Sequence, residues 1–369
     1  MIPLALADDY SLAFPDQEGC HSCVAYQECG GEARGRCMCA WKGSRRYQCS
    51  TCSLMCRERD EFTALNRPFE DAARQALFMD GLMLREYVPQ GGAFENLPPF
   101  IPTQTFQLSE GCVLPDPWVG IGLRSIFKPR EDLRGFMRAS PTATLLGVLN
   151  APDPVLERFW GLGPDKRREM FERLSSQGMT HVTGPTFSVY AESLAMERLS
   201  QLHRHHRVAN EAQRAGLAVA PNLYLHNTHG RRLWLAWLQE HTEVQVVSRE
   251  VSFLKHKNAR AEAITSVLEL LSEAGRPFHV LLIGVGQRSL KDTCSLFTGT
   301  GHTFSVLTKN PVIAGLKGQD SAELERSFVR RGRKIAPSVG KRTALRNLGV
   351  MRAAANRIVP PAFFEAVKD

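Results

Sequence analysis

From about residue 100 the chain alternates short, continuously apolar, β-branched runs with longer amphipathic stretches, and this alternation restricts the available folds more than any other feature. The runs cover residues 100–108, 119–127, 142–149, 181–189, 218–224, 243–248, 279–283 and 303–307. Helical periodicity falls between several of them, at 165–177, 191–215, 231–240 and 259–274. Runs apolar on both faces suit a parallel sheet covered on each side, and parallel strands need helical crossovers. Glycine follows three helical stretches directly, at Gly178, Gly216 and Gly275, where a left-handed C-terminal cap belongs. Eight such units predict an α/β fold, a (β/α)8 TIM-like barrel over residues 100–315. An open doubly wound sheet is the alternative. It is disfavoured because no Gly-x-Gly-x-x-Gly follows the first strand, and Gly120-Ile121-Gly122 lies inside an apolar run where it reads as packing.

Ahead of the barrel, eight of the ten cysteines crowd between Cys20 and Cys56. They are Cys20, Cys23, Cys29, Cys37, Cys39, Cys49, Cys52 and Cys56, with spacings Cys20-x2-Cys23, Cys37-x-Cys39 and Cys49-x2-Cys52-x3-Cys56. Each close pair can present two sulfurs from one turn to one ion, and eight sulfurs suit two four-ligand sites. The segment has too few apolar residues for a core of its own, so metal supplies the folding energy in this reading. Zinc at two sites or an iron–sulfur cluster fits thiolate-only ligation. The order x2 then x3 reverses the Cys-x3-Cys-x2-Cys triplet of radical S-adenosylmethionine enzymes, which disfavours that family. Residues 1–65 are thus expected to form a cysteine-rich metal-binding module, and 66–99 a helical linker. Arg34, Arg36, Lys42, Arg45, Arg46, Arg57 and Arg59, with Trp41 and Tyr47 between them, suit phosphates and unpaired bases, or else offset the negative charge of the thiolate clusters.

Membrane and export signals are weak. No apolar run approaches the length of a membrane span, and the start Met1-Ile2-Pro3-Leu4 lacks a basic, then long apolar, leader. The expectation is a cytoplasmic protein with no membrane partner, in which clustered thiols bind metal rather than pair as disulfides.

In a barrel of this type, chemistry gathers in the loops at the carboxyl ends of the strands. The polar residues there include Asn150, Ser188, Tyr190, Asn222, His226, Glu250, Lys309 and Asn310. Glu250 is the leading candidate for general acid or base, with His226 and Lys309 next. After the last two strands, Gly284, Gly286 and Arg288, then Lys309 and Asn310, place glycine and cations where many barrels hold phosphate. Asn150, Ser188, Tyr190 and Asn222 complete the expected substrate rim. His203, His205 and His206 lack an acidic or thiol partner one turn away and read as a solvated basic face. Cys112 and Cys294 have no local histidine and read as packing.

The whole chain carries a net charge of +8, and residues 311–369 hold 12 Lys and Arg against 5 Asp and Glu, so the excess is local. Arg330, Arg331, Arg333, Lys334, Lys341, Arg342 and Arg346 lie among Leu324, Phe328, Leu345 and Leu348 at helical spacing. Residues 316–369 therefore read as a basic helical extension that docks one face and turns cations toward a nucleic acid, DNA or RNA.

Two stretches carry a resemblance. Gly184-Pro185-Thr186-Phe187-Ser188-Val189-Tyr190, the His- and Arg-rich helix after it, and Ala215 to Asn222 resemble a segment of uncharacterised proteins encoded by plasmids and phages. His279-Val280-Leu281-Leu282-Ile283-Gly284-Val285-Gly286 is similar to a late barrel strand of tRNA-guanine transglycosylases, which exchange a base at a nucleic-acid glycosidic bond. The resemblance implies a barrel in a nucleic-acid context; that family's strand-end aspartates and C-terminal zinc site have no counterpart here. The expected function is a barrel protein acting on a nucleotide or base unit of DNA or RNA, by base exchange, glycosyl transfer or hydrolysis, its metal module assisting binding. The alternatives are a non-enzymatic, metal-dependent nucleic-acid-binding protein of a mobile element and an iron–sulfur enzyme acting on a small substrate.

Overall fold

The computed structural model of the chain describes residues 94, 96–104, 113–127, 131–187, 195–223, 225, 228–254, 256–320 and 336–358. The cysteine-rich segment, most of the linker and the cations at 330–334 lie outside the described residues.

Eight parallel strands are present: β1 (Phe100–Gln104), β2 (Trp118–Gly122), β3 (Thr144–Val148), β4 (Met179–Thr183), β5 (Ala218–Ala220), β6 (Val246–Glu250), β7 (His279–Ile283) and β8 (Thr303–Thr308). They pair in the order β5-β4-β3-β2-β1-β8-β7-β6. The two ends of the sheet meet at a parallel bridge between Asn222 and Ser248. There Leu223 N–H donates to Ser248 O at 2.9 Å and Ser248 N–H to Pro221 O at 2.7 Å. The sheet thus curls into a nearly closed barrel of the (β/α)8 type. Among the described residues, the helices are α1 (Leu123–Ile126), α2 (Leu133–Met137), α3 (Asp153–Trp160), α4 (Gly163–Ser176), α5 (Ala195–Arg214), α6 (Thr228–Glu240), α7 (Lys257–Glu273), α8 (Leu290–Phe297), α9 (Asn310–Leu316) and α10 (Pro337–Ile358).

The three capping glycines behave as the sequence predicts. Gly178, Gly216 and Gly275 have φ of 83°, 80° and 78° behind α4, α5 and α7, a conformation that glycine adopts without a Cβ penalty. Several runs differ from expectation; β5 stops at Ala220, and β6 runs from Val246 to Glu250 rather than over 243–248. The apolar stretch 119–127 divides into β2 and the short helix α1, since a short apolar run carries no period that separates strand from buried helix. In 181–187, the described part of the stretch 181–189, the strand ends at Thr183. Pro185 follows two residues later and has no N–H to continue a ladder.

Register decides what fills the barrel. Ile101 pairs with Leu307, Leu307 with Ile283, and Ile283 with Glu250, so these four positions face the same, inner, side of the sheet. Trp118, Leu146, Val148, Ala220, Val246 and Leu281 form the buried cluster with Ile101, Ile283 and Leu307. Gly120 takes the inner position of β2 because a Cβ there would come within 3.1 Å of the Val148 side chain and 3.2 Å of Thr103 Oγ1. That is the packing role expected of it.

Two histidines are sealed into this interior. His279 Nδ1 lies 2.7 Å from Thr303 Oγ1, and its Nε2 lies 2.8 Å from Ser305 Oγ. The Ser305 hydroxyl donates to Pro98 O, so it accepts from His279 Nε2–H, which leaves Nδ1 to accept from Thr303. A neutral ring fits this arrangement, and burial holds the His279 pKa at about 3. His181 packs against Phe94 and Trp118 at centroid distances of 4.6 and 4.7 Å. Its Nδ1 is 2.6 Å from Thr180 Oγ1, its Nε2 is buried without a protein partner, and burial lowers its pKa to about 4.

The residues described fall into two compact units. The larger holds the barrel and α10. Within it α10 buries Ala344, Asn347, Leu348, Met351, Ala354 and Ala355. Asn347 Nδ2 donates to Pro311 O and Gln319 O at 3.1 and 2.8 Å, while Arg352 makes a two-pronged ion pair with the buried Asp116 at 2.8 and 2.6 Å. Gly315 of α9 packs directly on Ala344, leaving no room for a side chain. The smaller unit includes Phe187–Asn210 and Tyr224–Leu233. There Arg204, His205 and His206 are all buried, which corrects the reading of a solvated basic face. Arg204 stacks 4.3 Å over the Phe187 ring and donates to Gln201 at 2.9 Å, contacts that let a cation sit inside.

Candidate functional site

The carboxyl ends of β6, β7 and β8 carry a cleft of about 470 Å³. Its wall includes Val251, Ser252 and Leu254 after β6, Gly284 and Gly286 to Ser289 after β7, and Asn310, Pro311 and Ala314 after β8. Arg260 from the first turn of α7 and Met351 from α10 complete it. Of the five residues read from sequence as a phosphate site, Gly284, Gly286, Arg288 and Asn310 therefore line one cleft, whereas Lys309 is not among its lining residues. Arg288 and Asn310 are exposed, while Arg260 is half-buried. Arg260 Nη1 donates to Ser289 Oγ at 2.8 Å, and its Nε is buried without a hydrogen-bond partner. Together the two arginines bring positive charge to a recess with open backbone at Gly286.

Gly284 has a further duty. Its φ is 98°, and a Cβ there would fall within 2.5 Å of Ser252 Cα and 2.7 Å of its backbone nitrogen. The β7 loop thus presses its backbone onto the β6 loop. Val251 N–H donates to Ile283 O at 2.9 Å, and Leu254 N–H turns back to Val251 O at 3.2 Å.

Glu250, the leading acid or base candidate, is the last residue of β6 and takes an inner-face position. Its Oε1 accepts Ser252 N–H at 2.5 Å, Phe253 N–H at 3.2 Å and the Ser252 hydroxyl. The carboxylate therefore organises the turn that forms one wall of the cleft, a duty that sequence position did not announce. Asn222 Oδ1 accepts Glu250 N–H at 3.1 Å across the β5–β6 junction, so Asn222 closes the barrel beneath the site. Asn150 is buried just past β3, with Nδ2 lacking a protein partner. Ser188, Tyr190 and His226 lie outside the described residues.

Lys309 follows β8 and is half-buried. Burial pushes its ammonium pKa down, the Glu250 carboxylate pulls it back up, and the Arg124 guanidinium lowers it. Glu250 comes from β6 and Arg124 from α1 behind β2, on opposite sides of β8 in the strand order. Glu250 and Lys309, two candidates read from sequence, stand at the carboxyl ends of β6 and β8, while Arg124 of α1, a charge that lowers the Lys309 pKa, was missed by sequence reasoning because 119–127 reads as one strand. Arg260 was missed as well, since a cation in the first turn of an amphipathic helix carries no signal of its own.

Of the nucleic-acid candidates on α10, Arg342 is exposed and Lys341 half-buried, whereas Arg346 is ion-paired with Asp320 at 2.5 Å. The Cys294 thiol donates to Ile358 O at 3.4 Å, and burial raises its pKa, so it packs rather than reacts. Among the described residues no group of three or more His, Cys, Asp or Glu is placed to hold a metal ion. Nor is any described helix long and apolar enough to cross a membrane. Neither protein-family models nor curated protein sequences give a match to this chain.

Proposed function

We propose that the barrel acts on a nucleotide unit of DNA or RNA, holding its phosphate in the cleft after β6, β7 and β8 while Lys309 handles a proton at the adjoining mouth. The observation that carries this reading is the convergence of Gly284, Gly286, Arg288, Asn310 and Arg260 on one recess. Backbone approach at glycine and guanidinium forks match the tetrahedral oxygens of a phosphate. An amine whose pKa is lowered by burial sheds its proton more readily near neutral pH than an exposed lysine, which suits it to general acid–base work. Glu250 fixes the cleft wall, and its negative charge partly offsets the lowering of the Lys309 pKa by burial. In the same reading the thiolates of Cys20 to Cys56 bind zinc or an iron–sulfur cluster, and the cations from Arg330 to Arg346 hold the rest of the polymer.

Calorimetric titration separates phosphate recognition from everything else. Thymidine 5′-monophosphate is expected to bind at least about tenfold more tightly than thymidine, and Arg260→Gln combined with Arg288→Gln to remove that advantage, since a charge-assisted hydrogen bond contributes about 1.5–3 kcal/mol. Equal binding of the two compounds to the natural chain would count against the phosphate site.

A further inference from the structure

Phe253 is 54 % exposed, an unusual position for a phenyl ring on a turn as firmly held as this one. Five contacts pin the turn. Glu250 Oε1 accepts the N–H of Phe253 itself at 3.2 Å and that of Ser252 at 2.5 Å. Val251 N–H is tied to Ile283 O, Leu254 N–H to Val251 O, and Ser252 is clasped against the backbone of Gly284. The neighbours of Phe253 on either side, Ser252 and Leu254, both line the cleft that also contains Arg260 and Arg288. The Phe253 ring thus stands exposed on a pinned backbone turn whose two flanking residues line the cationic recess, although Phe253 is not itself a lining residue.

We propose that Phe253 is a stacking platform for an unpaired nucleobase whose phosphate lies in the cleft. The inference rests on the phosphate reading above and adds the element that engages the base. A phenyl face gives every base a surface to stack on, so the platform is sequence-tolerant. It selects for unpaired bases, because a base inside a duplex is already stacked on its neighbours. The pinned backbone matters too: a turn already fixed leaves only the side-chain rotation of Phe253 to be lost when the ligand arrives. Glu250 thereby links the two subsites, as one carboxylate oxygen orders both the turn beside the arginines and the amide of the stacking residue.

The test compares adenosine 5′-monophosphate with ribose 5-phosphate, which share the phosphate and differ in the base. Dissociation constants are measured for the natural chain, Phe253→Ala and Phe253→Trp, with thermal unfolding recorded for each. The natural chain is expected to prefer the nucleotide by about tenfold or more. Phe253→Ala should bring the two ligands within about twofold of each other without altering ribose 5-phosphate affinity or the melting temperature, since the ring is exposed. Phe253→Trp should restore the preference. If Phe253→Ala retains the full preference, or if the natural chain binds both ligands equally, the platform is refuted while the phosphate site stands. If the natural chain binds neither ligand, the phosphate reading fails and takes the platform with it.

Discussion

Lowering the pH from 7.0 to 5.0 is expected to destabilise the barrel by about 4 kcal/mol, through His181 and His279 alone. Both rings are neutral in the fold, with pKa values near 4 and 3 against the usual 6.5. The sign follows from proton uptake: below 6.5 the unfolded chain binds protons that the folded chain refuses, so acid favours unfolding. Their contribution is complete above pH 6.5 and is lost progressively as the pH falls from 6.5 toward 4 for His181 and toward 3 for His279. His302, also pushed down by burial, acts in the same direction. Stopping at pH 5.0 keeps most carboxylates ionised and isolates the histidines. Urea unfolding followed by circular dichroism at the two pH values measures the loss. His279→Gln, which retains a donor and an acceptor toward Thr303 and Ser305, should remove about half of the pH dependence. An unfolding midpoint that does not move between pH 7.0 and 5.0 would show that these rings can be charged inside the barrel, contrary to the hydroxyl pattern around His279.

Gly284→Ala is expected to cost about 2–5 kcal/mol, combining a left-handed backbone penalty of about 1–2 with overpacking of about 1–3. The added methyl would meet Ser252 backbone atoms at 2.5 and 2.7 Å, and backbone cannot step aside as a flexible side chain can. Two other glycines separate the contributions. Gly275 has φ of 78° with nothing within 4 Å of an added Cβ, so Gly275→Ala should cost about 1 kcal/mol from conformation alone. Gly286 has φ of −95°, and an added Cβ there would meet only Asn310 Nδ2 at 3.8 Å, so Gly286→Ala should leave stability within about 0.5 kcal/mol. Denaturant midpoints for the three variants should therefore fall in the order Gly286, Gly275, Gly284. Because Gly284 holds the β6 loop against the β7 loop, its variant should also lose nucleotide affinity. A Gly284→Ala protein as stable as Gly275→Ala would mean that the two loops are not clasped.

Much of the barrel was legible because its signals are local. Apolar runs covered on both faces, and glycines placed one residue past a helix, are written in short windows, and Gly178, Gly216 and Gly275 adopt the conformations those windows require. The ends of strands were harder. Arg249 and Glu250 read as loop because they are charged, yet both pair with β7, where Arg249 also reaches across to donate to Leu223 O at 2.7 Å. The mouth of a barrel is where inward positions turn polar, so polarity stops marking the strand boundary there. The cleft was half legible. Glycine and cations after β7 and β8 are sequential neighbours, whereas Arg260 and Met351 reach the site from helices, and only the folded arrangement makes them neighbours. Burial of His205 and His206 was invisible for a related reason, since a polar helix face reads as solvated unless its cover is known.

The most direct test of the phosphate-binding cleft is the position of a single sulfur atom. Crystals of the full chain grown with thymidine 5′-phosphorothioate, measured at a wavelength where sulfur scatters anomalously, locate the ligand's thiophosphate independently of the rest of the map. The account predicts an anomalous peak within hydrogen-bonding reach of the Arg260 and Arg288 guanidinium groups and the Gly286 to Ser289 backbone, with the sugar directed toward Lys309. A thiophosphate bound at any other place on the barrel, with this cleft filled only by water, would contradict it.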